Sequence, residues 1–306
     1  MQDTQSPSPR LRIGTRGSQL ALWQAHHTQA ELSRHGIESE LVIIKTKGDM
    51  VQHLSFEKME GKGFFTKEIE EALLRGEIDL AVHSMKDLPT QSVAGGELVI
   101  TAVSYRDNPA DCLVARPEAL EGGQIFRLKT GATVGSSAAR RKAQLADYRP
   151  DLVLKDIRGN VPTRLQRLRD GDFDAIFLAA AGLNRLGVDL SGLERIELHP
   201  REFVPAPAQG VLAWQTHRDD TPTRLLLRRL HHPEVSAVTN VERRVLQLLD
   251  GGCQLPLGVY CERDAAGHFH AHAACMIGTE MRRVRVSSST SFDLAETVVQ
   301  RLKAAE

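Results

Sequence analysis

The sequence predicts an α/β protein of two lobes joined by a hinge, with a smaller α+β domain towards the C-terminal end. Three observations carry this. Over the first two hundred residues short apolar runs alternate with helical periodicity, a pattern of strand–helix–strand crossovers that favours parallel sheets. Linker signals at 105–109 and 199–207 interrupt it, and two linkers crossing between the same pair of lobes form a hinge with a cleft. Beyond Pro205 the texture changes to two helical patterns, a Gly251-Gly252 break and three strand-like runs. The expected boundaries are 1–104 with 205–222 for the first lobe, 105–204 for the second and 223–306 for the third domain.

In chain order, a strand at 11–14 runs into a Gly-rich break, and Ser18 is placed to cap a helix over 18–34. A strand at 41–45 and a helix at 66–75 follow, then a strand at 80–83 that enters a polar loop stopped by Pro89. Strands at 98–103 and 111–115 flank the first linker. Next come a strand at 133–135, Ser137 as cap of a helix over 138–147, and a strand at 152–157. Asn160 caps a helix at 161–169, whose first turn accepts Pro162 because the missing N–H is an orphan there anyway. A strand at 175–178 and a helix at 180–186 complete the alternation, every helix placing apolar residues three and four apart. Past the second linker, helices are expected at 222–230 and 236–249, strands at 259–263, 268–276 and 282–288, and a closing helix at 293–303.

Composition narrows the class. The 306 residues are 41% hydrophobic and 25% charged, as in ordinary soluble proteins, and no apolar run is long enough to cross a bilayer. The polar first ten residues carry no apolar signal core, so a cytoplasmic protein is expected, monomeric by default. Cysteines at 112, 253, 261 and 275 make neither a disulfide framework nor a zinc-type CxxC pair, so reduced thiols and no metal are expected. Cys112, Cys261 and Cys275 fall in strand patterns and read as core. His268, His270 and His272 alternate along a strand and read as a polar sheet surface.

Charge is neutral in sum but not in distribution. Thirty-nine basic residues balance thirty-nine acidic ones, yet 127–169 holds eleven Lys/Arg against three acids. A local excess of guanidinium groups calls for an anion. A pI near 7.2 and only 5% aromatic residues argue against nucleic acid. Three basic segments share one design, a strand, a break at Gly, Ser or Asn, then a helix: Leu11 to Ser18 with Arg12 and Arg16, Val134 to Arg141 with Ser136, Ser137, Arg140 and Arg141, and Ile157 to Arg164 with Arg158. Free N–H groups and the positive end of the helix dipole make each turn an anion seat. None is a Walker A or GxGxxG, so phosphate is not specifically indicated and carboxylates fit as well. Read singly, each arginine is more plainly a solvated helix face in an ordinary salt bridge; the three motifs together are not.

Two further clusters carry chemistry. In Ala81 to Pro89 a strand delivers Ser84, Lys86 and Asp87 into a loop. A carboxylate there, beside Lys86 and facing the arginine seats, is expected to stay ionised and to stabilise a cationic intermediate or pass a proton. Lys58 and Lys62, flanking Gly61 and Gly63, suggest a mobile basic loop. In Gly251-Gly252-Cys253-Gln254 two glycines let the chain turn sharply beside an unobstructed thiol, as a covalent role requires; a small buried cysteine is the plainer reading.

Together these motifs resemble the porphobilinogen deaminase (hydroxymethylbilane synthase) family, over nearly the whole length. The match covers Ile13-Gly14-Thr15-Arg16 with Leu20 to Ala25, Gly61-Lys62-Gly63, Val82 to Pro89, Arg140-Arg141, Arg158-Gly159-Asn160-Val161 with Thr163-Arg164, Ala181-Gly182-Leu183 with Arg185, Ala208-Gln209-Gly210 and Gly251-Gly252-Cys253. The resemblance implies two lobes like periplasmic binding proteins and a third domain bearing the cysteine. It implies a transferase that joins porphobilinogen head to tail with loss of ammonia and releases hydroxymethylbilane by hydrolysis. Cys253 would carry a dipyrromethane cofactor through a thioether, and Asp87 would be the catalytic carboxylate. Arg12, Arg16, Ser18, Ser84, Lys86, Ser136, Ser137, Arg140, Arg141, Arg158, Arg164 and Arg185 would bind acetate and propionate arms, with Lys58 and Lys62 on a lid-like loop. Each added pyrrole brings two carboxylates, which suits so many arginines.

Two departures stand out. The second serine of the family's Thr-Ser-Ser run is Ala138 here, putting one carboxylate contact in question, and an Ile-Glu pair is replaced by Trp214-Gln215, with an expected effect on the hinge or lobe contact. The competing class is a non-catalytic two-lobed binding protein for small carboxylates, which has no use for a thiol in its cleft.

Overall fold

The computed structural model describes residues 10–46, 66–90, 95–250 and 255–304. The chain opens with β1 (Leu11–Thr15), α1 (Gln19–Arg34), β2 (Ser39–Ile43), α2 (Lys67–Leu74), β3 (Leu80–Ser84) and β4 (Leu98–Val103). It then builds β5 (Asp111–Ala115), β6 (Thr133–Gly135), α3 (Ala139–Tyr148), β7 (Val153–Lys155), α4 (Val161–Arg169), β8 (Ala175–Ala179), α5 (Ala180–Leu186) and β9 (Glu194–Leu198). β10 (Leu212–His217) returns to the first sheet, before α6 (Thr221–Leu227), α7 (Pro233–Leu248), β11 (Leu257–Arg263), β12 (Phe269–Ile277), β13 (Glu280–Ser288) and α8 (Leu294–Lys303).

The two five-stranded sheets repeat one plan. Their orders are β2-β1-β3-β10-β4 and β7-β6-β8-β5-β9. In each, three parallel strands meet one antiparallel strand, and that strand is the one the chain enters on crossing from the other lobe: β5 going out, β10 coming back. The lobes are therefore joined twice, and the loops after β1, β3, β6, β7 and β8 lie at carboxyl ends of parallel strands, where open α/β sheets bind ligands. Local chemistry sets these loops. Ser18 caps α1 by accepting from the Ala21 N–H at 3.3 Å, and Asn160 caps α4 by accepting from Thr163. The buried stripe Gln24, Ala25, Thr28, Leu32 then seats α1 on its sheet.

The third domain is an antiparallel sheet, β11-β12-β13, with α7 and α8 packed on one face around Val241, Val245, Val259, Ala271, Val298 and Leu302. It docks on the return hinge. The Val259 N–H donates to Pro205 O at 3.0 Å, and a Cβ at Gly258 would fall 2.3 Å from Val204 O, so only glycine fits. Gly210 is similarly forced: its φ is +92° and a Cβ would lie 2.4 Å from Asp107 O of the outward crossing.

The structure corrects several expectations. β9 and β10 carry no strand signal in the sequence reading. β9 is an edge strand whose Glu194 and Arg195 face solvent, and β10 is fully interior yet contains Gln215 and Thr216, which break an apolar run. Gln215 Nε2 donates to Glu70 at 3.0 Å, and the Thr216 hydroxyl shares a hydrogen bond with Thr101 at 2.7 Å. Trp214 donates to Thr28 at 2.9 Å, so the Trp214-Gln215 pair ties β10 to α1 and α2 inside the first lobe and takes no part in the hinge. Ser137 is not a cap: α3 starts after Ala138, which offers no side-chain acceptor. α7 begins at Pro233, three residues before the expected start, with Pro at the first turn. Cys112, Cys261 and Cys275 are buried as expected. His268 and His270 engage Asp264 towards the strand's start, but His272, further along the same face, is buried beside Tyr260 and so is not part of a polar surface.

Candidate active site

The turn after β3 is built by alternation. Met85 and Leu88 are buried against Val103, Ala208, Val211 and Ala213, which leaves Lys86 half-buried and Asp87 exposed. The Met85 N–H donates to Val211 O at 2.9 Å, fixing the turn to the hinge. Ser84 accepts from Gln24 of α1 at 2.9 Å.

From Lys86 a polar chain crosses into the second lobe. Lys86 Nζ donates to Gln209 Oε1 at 3.2 Å, and Gln209 Nε2 donates to Pro109 O at 2.8 Å and Asp111 Oδ1 at 2.9 Å. Asp111 is fully buried at the start of β5 and is clasped by Arg140 at 2.6 Å and Arg141 at 2.7 Å. Burial alone would raise the Asp111 carboxyl, but Arg140 and Arg141 overcome it and hold it well below the ordinary carboxylate value. Arg140 also donates to Val204 O at 2.9 Å.

The adjoining turns are stapled side by side. Ser137 Oγ donates to Ile157 O at 2.8 Å and accepts from the Ile157 N–H at 3.1 Å, so this serine joins the β6–α3 turn to the β7–α4 turn. Ser136 Oγ accepts from the Ala138 N–H at 3.3 Å. The result is crowding of like charge. Burial, then Arg141 and Arg158, lowers Arg164 to about 10. Burial lowers Lys86 to about 8, opposed by Asp87 and reinforced by Arg141 and Arg140. Burial lowers Arg140 as well, only partly offset by Asp111. Partly desolvated cations close to one another, with Asp111 as the enclosed counter-charge, form a seat for multiple anionic groups.

Not every expected residue joins this cluster. Arg12 lies at the start of β1, where its guanidinium pairs with Asp79 at 2.7 Å and its backbone N–H with the same carboxylate; it organises the strand. Arg16, at the far end of β1, acts electrostatically on buried His83, and Ser18 caps α1. Arg185 donates to Gly210 O at 2.6 Å, pairs with Asp107 at 3.3 Å and lies 5.7 Å from the Trp23 ring, bracing both crossings against the first lobe. Lys58, Lys62 and Cys253 lie outside the described residues; the chain is described up to Asp250 and from Leu255.

Sequence reading missed Asp111 and Gln209 as parts of the site. An acid opening the otherwise apolar Asp-Cys-Leu-Val-Ala strand was the available signal. It also missed Glu242 of α7, completely buried, which accepts from Arg106 at 2.7 and 3.2 Å, from the Ala208 N–H at 2.6 Å and from the Cys261 N–H at 2.7 Å. One carboxylate thus joins both crossings to the third domain.

The family model "Porphobilinogen deaminase, dipyromethane cofactor binding domain" matches residues 11–224. The porphobilinogen deaminase of Trichlorobacter lovleyi is 47% identical over 255 residues, covering 82% of this chain and 78% of that protein. That of Chloroherpeton thalassium is 42% identical over 293 residues, covering 94% and 89%. The periplasmic aliphatic sulphonate binding protein SsuA from Escherichia coli aligns over 79% of this chain and 71% of its own, with 15% identity and a TM-score of 0.41. A family model spanning both lobes, with relatives this similar over most of their length, shows that the chain belongs to the porphobilinogen deaminase family.

Proposed function

We propose that the protein has hydroxymethylbilane synthase activity: it joins porphobilinogen units head to tail, loses ammonia at each addition and releases hydroxymethylbilane by hydrolysis. The observation that carries this is the crowded cluster of Lys86, Arg140, Arg141 and Arg164 at the junction of the lobes, with the exposed Asp87 carboxylate beside it. The same donor set fits a dipyrromethane with acetate and propionate arms, because burial, reinforced by neighbouring cations, disfavours the charge on Lys86, Arg140 and Arg164, and an anion relieves it. Cys253 would hold that cofactor through a thioether. When bound, the dipyrromethane supplies the free pyrrole carbon to which the first unit is joined.

The chain's own residues supply binding and charge. Arg16, Ser84, Lys86, Ser136, Arg140, Arg141, Arg158 and Arg164 face carboxylate arms, with Lys58 and Lys62 as further cations for them; Arg12, Ser18, Ser137 and Arg185 act by holding strand, helix, adjoining turns and hinge. As the aminomethyl C–N bond of porphobilinogen breaks and ammonia leaves, Asp87 stabilises the positive charge on that ring, then relays the proton displaced by the new carbon–carbon bond. The lobes divide at 1–104 with 205–222, 105–204 and 223–306. The protein works as a cytoplasmic monomer without nucleic-acid or membrane partners. Among the described residues no helix is long and apolar enough to cross a membrane, and no group of acid, His and Cys side chains is placed to hold a metal.

Intact mass tests this directly. The purified protein is expected to exceed its sequence mass by a dipyrromethane, to lose the excess in Cys253→Ser, and to colour with acidic Ehrlich reagent only when Cys253 is present. Bare sequence mass in a protein that still binds carboxylates would instead indicate a two-lobed binding protein.

Lys86 gives a pH signature. Lowered to about 8, it loses its charge well before an exposed lysine does, so carboxylate binding weakens as pH rises through about 8. The KM for porphobilinogen should rise on that limb, and Lys86→Arg, which stays charged, should flatten it. A parent profile flat up to pH ~9.5, where a group of pKa about 8 is almost fully deprotonated, would remove Lys86 from carboxylate binding.

A further inference from the structure

The geometry points to Arg243 as a positioning residue: from the third domain it holds the turn that presents Asp87. The inference rests on the function proposed above. Arg243 Nη1 donates to Met85 O at 3.1 Å and Leu88 O at 3.0 Å, and Nη2 donates to Pro89 O at 2.8 Å. Three consecutive-turn carbonyls are gathered by one planar fork lying more than 150 residues later in the chain.

The turn cannot hold itself. Its internal backbone bond, Leu88 N–H to Met85 O, is long at 3.3 Å, and Pro89 has no N–H to give. Buried carbonyls left without donors would prefer water, and the turn would open towards it. Arg243 is itself largely enclosed, and among the described residues no carboxylate pairs with it, so its charge is answered by carbonyl dipoles. An arginine serving only a surface ion pair would not be arranged in this way.

The neighbouring residue gives the clamp its direction. Glu242 bolts the same turn of α7 to both crossings through Arg106 and Ala208. α7 then continues to Leu248, a rise of about 8 Å at 1.5 Å per residue, and Asp250 precedes the Gly-Gly-Cys segment. The turn that carries the catalytic carboxylate and both crossings are therefore referenced to one rigid helix.

The test uses Arg243→Gln, Arg243→Lys and Arg243→Ala in full-length protein, with cofactor loading checked by intact mass and folding by circular dichroism. For loaded Arg243→Gln, kcat is expected to fall by about 10²-fold, since misplacement of the order of 1 Å costs that much, with a much smaller rise in KM for porphobilinogen, because Lys86 rides on the same turn while Arg140, Arg141 and Arg164 lie elsewhere. Arg243→Lys should recover only part, because one ammonium does not reach three carbonyls, and free guanidinium at non-denaturing concentration should restore Arg243→Ala. The double variant Asp87→Ala/Arg243→Gln should be no slower than Asp87→Ala alone. Independently of turnover, hydrogen exchange at the Leu88 amide should accelerate at least tenfold when Arg243→Gln is placed in the unloaded Cys253→Ser protein, with β3 unaffected. Unchanged exchange, losses that multiply in the double variant, or a kcat decrease no larger than the loss of folded protein would each overturn the role. A parent protein inactive on porphobilinogen would overturn the proposed function instead, and the exchange result would still decide the clamp.

Discussion

Asp87→Ala is expected to fold normally and to lose about 10³-fold in kcat with porphobilinogen, the range seen when a positioned acid–base group or a preorganised charge is removed. Folding is expected to survive because the side chain is exposed and the turn is anchored by Met85 and Leu88; surface truncations of this kind usually change stability by less than about 0.5 kcal/mol. Catalysis should not survive, because Asp87 is the carboxylate beside Lys86 on that turn, while Asp111 is enclosed by Arg140 and Arg141. Asp87→Asn separates charge from shape and should be nearly as slow, whereas Asp87→Glu keeps the charge at a shifted position and should fall between. Steady-state and single-turnover kinetics, with the melting midpoint as control, check the series. Parent-like kcat in Asp87→Ala would remove this residue from the chemistry and return the site to carboxylate binding alone.

What the sequence disclosed and what it hid divide along contact range. Strand and helix positions in both lobes follow from local periodicity, and the caps at Ser18 and Asn160 form as their residue types predict, because a cap needs partners only two or three residues away. Ser137 shows the limit: its type suits a cap, but a hydroxyl that can bond both polar groups of Ile157, twenty residues on, is used there instead. Arg12 shows another. Sequence marks it as a cation beside an anion-binding turn, yet Asp79, brought alongside by the β1–β3 pairing, takes its charge. The links that assemble the site span far greater separations, 123 residues for Lys86 and Gln209 and 136 for Arg106 and Glu242. Nothing in the local pattern of Ala208-Gln209-Gly210 or Val241-Glu242-Arg243 distinguishes an interior polar anchor from a solvated one. The β10 strand was hidden for the same reason, since Gln215 and Thr216 find their partners only once the lobe has closed on them.

Glu242→Ala is expected to cost about 3–5 kcal/mol of stability, the usual consequence of breaking a buried ion pair by removing one partner. The side chain is completely buried and Arg106 nearly so, so the guanidinium left behind keeps a desolvated charge without its counter-ion. The Ala208 and Cys261 N–H groups lose their acceptor in the same change. Ala208 compounds the effect. Its φ of +61° is an uncommon conformation for alanine, maintained where Glu242 receives its N–H, and without that bond the return crossing is free to relax. Glu242→Gln retains one acceptor but turns an NH2 towards donors, so it should be intermediate. The loss should appear in urea unfolding followed by circular dichroism, and Arg106→Met added to Glu242→Leu should recover part of it by removing the orphaned charge along with its partner. If Glu242→Ala unfolds within about 1 kcal/mol of the parent, the junction is wet and the carboxylate does not brace it. If the loss appears but the paired apolar variant recovers nothing, the bonds to Ala208 and Cys261 carry the joint and the charge pair does not.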